Sequence, residues 1–430
     1  MKKSPLYIAA SLLLVACGGQ KAEAPLGAVV TVTNPLALDR TDELVQLDLA
    51  EALAKAGLTT ADSLVVLDAA GRQVPYQTAF RGRMLVFPAT VAAGGTSQYF
   101  LAQGTPEEFE PVVAGRQYPE RVDDFAWENE YSAYRCYGPA LQASGERAYG
   151  FDVWVKNTRE LVVEDRYVTE ESAKPEIARL RKEGKTAEAD ALEHETSYHY
   201  DHGKGLDCYK VGATLGGGTP GLYRNEQIIY PYCYTDYEVL EEGPLRMAVR
   251  FDYEQKTLDG KPYTEHRIIS FEKGSRMNTC IVFYEGLQDG SVEGVQVAAG
   301  LVVHSENTDY VLNPERGYVA YADPTDPSQG GVEANGSIFV GIVAPQMDAA
   351  CYQAWTGSEN PADMKARGGA EGHVMALLPL PTAGEGQRPA PAVYFFGSSW
   401  SKGDMPTMEA WTQYLDEFAQ KLDAPLQVTL

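Results

Sequence analysis

Residues 265–284, EHRIISFEKGSRMNTCIVFY, decide the fold class. The runs Ile268–Phe271 and Arg276–Phe283 are rich in β-branched and aromatic side chains, and Lys273-Gly274-Ser275 joins them. Gly274 can supply the positive φ that a tight turn demands, so the stretch predicts an antiparallel hairpin. Working outward, Tyr131–Tyr137, Tyr149–Val155, Leu161–Tyr167, Leu245–Tyr253, Glu265–Phe271, Arg276–Tyr284, Val295–His304, Ser337–Val343, His373–Leu378 and Val393–Phe396 read as strands. The regular strand–helix alternation of a parallel α/β sheet is missing. The class is therefore mainly β, with a large antiparallel two-sheet sandwich, or supersandwich, over residues 118–430. Ahead of it, Val29–Thr33, Glu43–Leu49, Leu64–Leu67, Met84–Phe87 and Ser97–Leu101 predict a small β-sandwich domain over 28–105, bounded by Gly104-Thr105-Pro106-Glu107-Glu108.

Two helical segments interrupt this pattern. Pro175–His194 carries strong helix formers, many charges and a break at Gly184, which reads as a helical insertion with a solvated face. In Thr407–Leu422, residues Met408, Trp411, Leu415, Phe418 and Leu422 recur at helical spacing, giving a C-terminal helix docked by one apolar face.

Of 430 residues, 36 are Lys or Arg and 60 Asp or Glu, for a formal charge of −24. That balance excludes phosphate-backbone binding as the main activity, so no nucleic-acid partner is expected. Hydrophobic residues make up 44% and charged residues 22%, enough apolar material for a folded core. At the start, Lys2 and Lys3 precede an apolar run from Leu6 to Ala16, too short to span a bilayer and shaped as a signal peptide over 1–16. Leu14-Val15-Ala16-Cys17 resembles a bacterial lipobox. It implies cleavage before Cys17, lipidation of its thiol, a tether over 17–27, and an exported protein held in the outer membrane's bilayer, on the periplasmic face or the cell surface. The remaining cysteines, Cys136, Cys208, Cys233, Cys280 and Cys351, are widely spaced and form no C-x-x-C pair for zinc or redox work.

Several catalytic motifs can be set aside. Gly216, Gly218 and Gly221 spell G-x-G-x-x-G, but Pro220 breaks the helix start that a nucleotide fold needs, which leaves a Gly-rich loop. His194-Glu195 is followed by a histidine only at 199, one residue too far to share a helix face. Neither a nucleophile elbow nor a Walker loop is present.

The densest polar stretch is Ser197–Lys210, with His199, His202, Asp201, Asp207, Lys204, Lys210, Tyr198, Tyr200 and Tyr209. It offers acid/base groups, and His199, Asp201 and His202 could ligate a divalent metal ion. A second cluster, Glu120–Asn129, holds Asp123, Asp124, Trp127, Glu128 and Asn129, and leads to Arg135, Asp152 and Trp154. Aromatic faces beside carboxylates and amides suit sugars, whose C–H faces stack while polar groups take the hydroxyls. Trp400, within Gly397–Lys402, reads as a loop residue suited to stacking.

The strings PERVDDFAWEN (119–129), YGPAL (137–141), YGFDVWVK (149–156), YHYDHGKGLDCYKVG (198–212) and FGSSWSKGD (396–404) resemble, in this order, a family of exported Bacteroidota lipoproteins long catalogued as a domain of unknown function. Some of its members are oligosaccharide dehydratases of ulvan breakdown. The resemblance implies a carbon–oxygen lyase that removes water from a non-reducing-end uronic acid. Such a reaction needs a base at C5, an acid for the leaving hydroxyl, and a cation or amide against the carboxylate. His199 and His202, with Tyr200 or Tyr198, are the acid/base candidates. Arg135 and Asn129 are candidates for the carboxylate, Lys204 and Lys210 for added charge, and Trp127, Glu128, Asp152, Asp207 and Trp400 for the remaining sugar contacts. Two other readings stand beside this one: a non-catalytic glycan-binding lipoprotein, and a glycoside hydrolase pairing Asp123 or Asp124 with Glu128.

Overall fold

The computed structural model describes residues 27–430 apart from 288, 291, 305–308, 356–360 and 383–389. The expected signal peptide, Cys17 and all but the last residue of the expected tether lie outside the described residues.

The hairpin forms as its sequence predicts. Strands Lys261–Glu272 and Met277–Glu285 pair antiparallel, with Ser270 opposite Thr279. Burial alternates along the first, placing Tyr263, Glu265, Arg267, Ile269 and Phe271 inside. Gly274 takes φ +80°, and a Cβ there would meet the Asp42 carbonyl oxygen at 2.2 Å. Only glycine fits the turn. Around this hairpin grows a nine-stranded sheet in which eight strands run in the order 234–241, 246–253, 261–272, 277–285, 392–400, 338–343, 318–323, 310–313, and the ninth, 256–258, pairs with 261–272 off that path. A five-stranded sheet, 227–229, 217–224, 296–303, 372–379, 349–354, shares its core, where Val297, Leu301, Val340, Ile342 and Phe396 are fully buried. A third sheet, 206–207, 152–155, 132–136, 124–129, 113–118, packs Trp127 and Phe151 into that same core. Among the described residues the large region thus packs antiparallel sheets face to face as the sandwich reading expects, with the third sheet added against the shared core.

Residues 28–103 form a four-stranded and a three-stranded sheet around Val30, Leu47, Leu85, Phe87 and Leu101. One edge of the four-stranded sheet is supplied by the distant strand Gln427–Thr429, which pairs with Ala28–Thr33. Helix Leu49–Ala56 lies in the stretch between strands Arg40–Asp48 and Leu64–Leu67, where the sequence reading placed no element beyond Leu49. Asp48 caps it by accepting from Glu51 N at 2.9 Å, and Gly57 ends it at φ +72°.

Two expectations are corrected here. Leu161–Tyr167 does not form a strand; it opens helix Val163–Lys182, which a turn at Gly184 links to helix Thr186–Thr196. The buried Glu128 carboxylate accepts from Val162 N and Val163 N and satisfies the helix's first donors, so a residue 34 positions away fixes the start. The glycine-rich 216–221 segment is not a loop; strand Gly217–Arg224 runs through it, with a register shift between Gly217 and Thr219.

Helix Met408–Asp423 starts at the Thr407 hydroxyl, which accepts from Ala410 N at 3.1 Å. Its buried Trp411 and Leu415 sit on strand Ile338–Val343 at Gly341, where a Cβ would lie 2.7 Å from Leu415 Cδ1 and 3.0 Å from Trp411 Nε1. Gly341→Val is therefore expected to lift the helix and cost about 1–3 kcal/mol. Equilibrium denaturation of the variant checks this, and an unchanged midpoint would show that the contact is soft.

Candidate functional site

Arg135 organises the region that the family strings describe. Strand pairing sets Asp152 directly opposite Arg135, and Asp207 opposite Trp154. Arg135 Nη2 donates to Asp152 Oδ2 at 2.5 Å and to Asp207 Oδ2 at 2.9 Å, and Nη1 reaches the Tyr198 hydroxyl at 3.4 Å. Arg121 Nε donates to the same hydroxyl at 3.0 Å. Trp154 stacks on Tyr198 with ring centroids 4.6 Å apart. Asp124 is fully buried, 3.8 Å from both guanidinium groups. Burial pushes its carboxyl up to about 7, and burial beside Asp207 raises Asp152 to about 6. Arg135 Nη2 thus pairs with Asp152 and Asp207, while Arg135 Nε and both Asp124 oxygens make no hydrogen bond, and these pairs fix the Tyr198–Tyr209 segment.

The other sequence candidates divide in the same way. Asn129 Nδ2 donates to the Glu272 and Ser275 carbonyls and clamps the hairpin turn. Glu128 also pairs with buried Lys156 at 2.7 Å. Trp127 is 1% exposed, with its indole on Asn278. Trp400 is not in a loop: it ends strand Ala392–Trp400, 3% exposed, with Nε1 on the Asn335 carbonyl. These aromatic rings belong to the core. Of the carboxylates that a hydrolase would pair, Asp124 and Glu128 are likewise enclosed, and Asp123 is half-buried and accepts from Gln117 Nε2 at 3.0 Å. Asp201 caps its own loop by accepting from Gly203 N and Gly205 N, and His202 Nε2 faces the Ser197 carbonyl at 3.1 Å. The trio His199, Asp201 and His202 does not converge, and among the described residues no three His, Cys, Asp or Glu side chains are placed to hold a metal ion. Tyr200 is exposed and lies on His194, 4.0 Å between centroids. Lys204 pairs with Glu160. Together with Arg166, Tyr198, His202 and Lys204 line a cavity of about 260 Å³.

His199 is different. Its Nδ1 lies 3.1 Å from the Asp207 carbonyl, 3.6 Å from the Asp207 carboxylate and 3.2 Å from the Gln329 amide. A carbonyl only accepts, so Nδ1 carries the proton, and the Gln329 amide is best satisfied when its otherwise unpartnered Oε1 faces the ring. Nε2 is then the basic nitrogen. The side chain is 37% exposed, so this nitrogen can meet a ligand. Gln329 closes the short turn Pro327–Gln329, capped by Asp326, and Asp326 lies 3.5 Å from Lys210 Nζ, a loose pair that leaves ammonium protons for another acceptor.

Beyond Lys210 lies an aromatic group that the sequence reading passed over. Tyr230 sits near Trp355 (6.1 Å between centroids) and Tyr149 (5.9 Å), while Tyr232 lies 5.2 Å from Tyr149. Tyr230, Tyr232 and Trp355 are half-buried, and the Arg367 guanidinium covers the Trp355 face at 3.4 Å. The string YPYCY at 230–234 was its available signal.

The carboxylate cluster has a pH consequence. Between its unfolded value of 3.8 and about 7, Asp124 holds a proton in the folded chain that the unfolded chain has lost. Stability from this source is present at low pH and falls as pH rises through that window. Asp124→Asn is expected to gain in unfolding temperature relative to the natural chain between pH 5 and pH 8. Parallel melting curves at the two pH values would refute this.

Comparison with known proteins places the chain. An α-mannosidase from Enterococcus faecalis V583 overlays with a TM-score of 0.48 at 10% identity, over 94% of this chain and 46% of that one. A second E. faecalis protein, in glycosyl hydrolase family 38, gives 0.48 and 10% over 95% and 48%. The chain spans about half the length of these solved proteins. "Uncharacterized protein P7" of Formosa agariphila is 24% identical over 99% of this chain and 98% of its own length. The profile of one family matches residues 32–428, nearly everything described above, and the chain accordingly belongs to the family described as "Domain of unknown function (DUF4861)".

Proposed function

We propose that this protein is a carbohydrate-active elimination enzyme that dehydrates a uronic acid at the non-reducing end of an oligosaccharide. The observation that carries the reading is His199: the Asp207 carbonyl lies against its Nδ1, its side chain is 37% exposed, and the turn that brings Gln329 to the ring also pairs with Lys210 through Asp326. The proton at C5 of a uronate becomes removable when the adjacent carboxylate is neutralised. Lys210 supplies that charge, and His199 Nε2 takes the proton. The half-buried rings of Tyr230 and Tyr232 give a stacking surface for a sugar ring, bordered by Trp355, whose own face the buried Arg367 guanidinium covers. The string resemblance supports the uronate as substrate. Asp207, tied through Arg135 to the sheet, fixes the His199 tautomer in the manner of an orienting carboxylate.

Oligosaccharides ending in a uronic acid are expected to gain ultraviolet absorbance from the conjugated double bond, without chain shortening. His199→Gln should lower kcat by about 10²–10⁴. Shortened, unmodified sugars would indicate hydrolysis, and binding without turnover a glycan-binding module; either would overturn the reading.

The enzyme works tethered to the outer membrane through acylated Cys17. The lipobox-like Leu14–Cys17 supports this. Cys17→Ser, expressed with the full leader, is expected to leave the membrane fraction. Retention there would remove the anchor from the proposal.

A further inference from the structure

The turn that presents Asp326 and Gln329 to the site also holds a second histidine. His304 directly follows strand Gln296–Val303, and its Nδ1 lies 2.6 Å from Asp323 Oδ2. Asp323 is fully buried, and its Oδ1 accepts from Thr325 N at 2.8 Å. Thr325 is a β-branched residue at φ +63°, 2% exposed, a costly conformation that persists only where the surroundings enforce it. Tyr209 stands edge-on to the imidazole, with ring centroids 6.2 Å apart at 84°. His304 Nε2 and the Tyr209 hydroxyl are both buried and both without a hydrogen-bond partner. Other buried side chains, among them Tyr167, Tyr284 and Trp411, also carry a partnerless atom, but these two stand beside each other and next to one strained turn, an arrangement that suits a ligand. His199 meets Asp207 and His304 meets Tyr209, so both histidines are tied to the same short segment of chain.

We propose that His304 and Tyr209 form the proton-donating half of the active site, a deepening that rests on the dehydratase reading above. As His199 Nε2 takes the C5 proton, the electron pair of that bond forms the C4–C5 double bond and the C4–O bond breaks. His304 Nε2 delivers a proton to the departing hydroxyl, which leaves as water, while the Tyr209 hydroxyl donates a hydrogen bond to the same oxygen. Asp323, opposite Nδ1, compensates the positive charge His304 carries before transfer. His199 ends with one proton more and His304 with one fewer, and exchange with solvent restores both.

The test uses the full chain and two substrates, the uronate oligosaccharide and its 4-deoxy-4-fluoro analogue, whose leaving group needs far less protonation. On the natural substrate, Tyr209→Phe is expected to lower kcat at least tenfold and His304→Gln at least a hundredfold, with KM little changed. Both variants should process the fluoro analogue at close to the natural rate, and His199→Gln should fail on both substrates. Because the Tyr209 hydroxyl has no partner, Tyr209→Phe should melt at or above the natural temperature, which separates lost chemistry from lost folding. Full activity of Tyr209→Phe and His304→Gln on the natural substrate, or equal losses on both substrates, would overturn the assignment. Absence of the double bond with the natural protein would instead overturn the dehydratase reading, and the assignment with it.

Discussion

Everything near the candidate site hangs on one buried cation. Arg135 is 4% exposed and meets Asp152, Asp207 and the Tyr198 hydroxyl, with Asp124 close behind. A guanidinium withdrawn from water is tolerated only when its hydrogen bonds are replaced, and here the replacements come from separate stretches of chain. Asp152 belongs to the neighbouring strand, Asp207 to the next one, and Tyr198 to the segment leaving the helical insertion. Satisfying Arg135 therefore draws the insertion's exit, the sheet edge and the His199 loop into one register. Burial in the same dry space raises the Asp124 and Asp152 carboxyls, with Asp207 adding to the rise at Asp152, against the pull of the arginines in the other direction.

Local signals in the sequence were reliable wherever neighbours in the chain are also neighbours in space. The hairpin around Gly274 and the helix carrying Trp411 and Leu415 follow from turn chemistry and periodicity alone. Leu161–Tyr167 failed because short apolar runs suit either period, and the deciding contact, Glu128 on the helix's first donors, is long-range. The site divides similarly. His199 and Lys210 stood out by local density, but the partners that orient them, Gln329 and Asp326, lie more than 110 residues onward. Arg135 and Trp400 were chosen for chemistry that suits a sugar, yet residue type alone does not tell a binding side chain from one already consumed by the core. His304 was invisible because its partners, Asp323 and Tyr209, come from other strings.

A net charge of −24 does not describe the local field. Lys210 and Arg367 lie beside aromatic surface, while many of the acids sit in exposed helical ion pairs such as Glu176 and Glu183 with Arg179. An anionic ligand would be drawn by these few cations at short range, where screening by salt is weakest.

The pairing of Gln427–Thr429 with Ala28–Thr33 sets a schedule for folding. The small sandwich occupies residues 28–103, yet one edge of its four-stranded sheet stays open until the strand Gln427–Thr429 has been made. Nascent chains therefore carry that edge uncovered through synthesis of the whole large region. A chain cut short by a few terminal residues would keep the large region's sheets and still present a sticky strand edge to its neighbours.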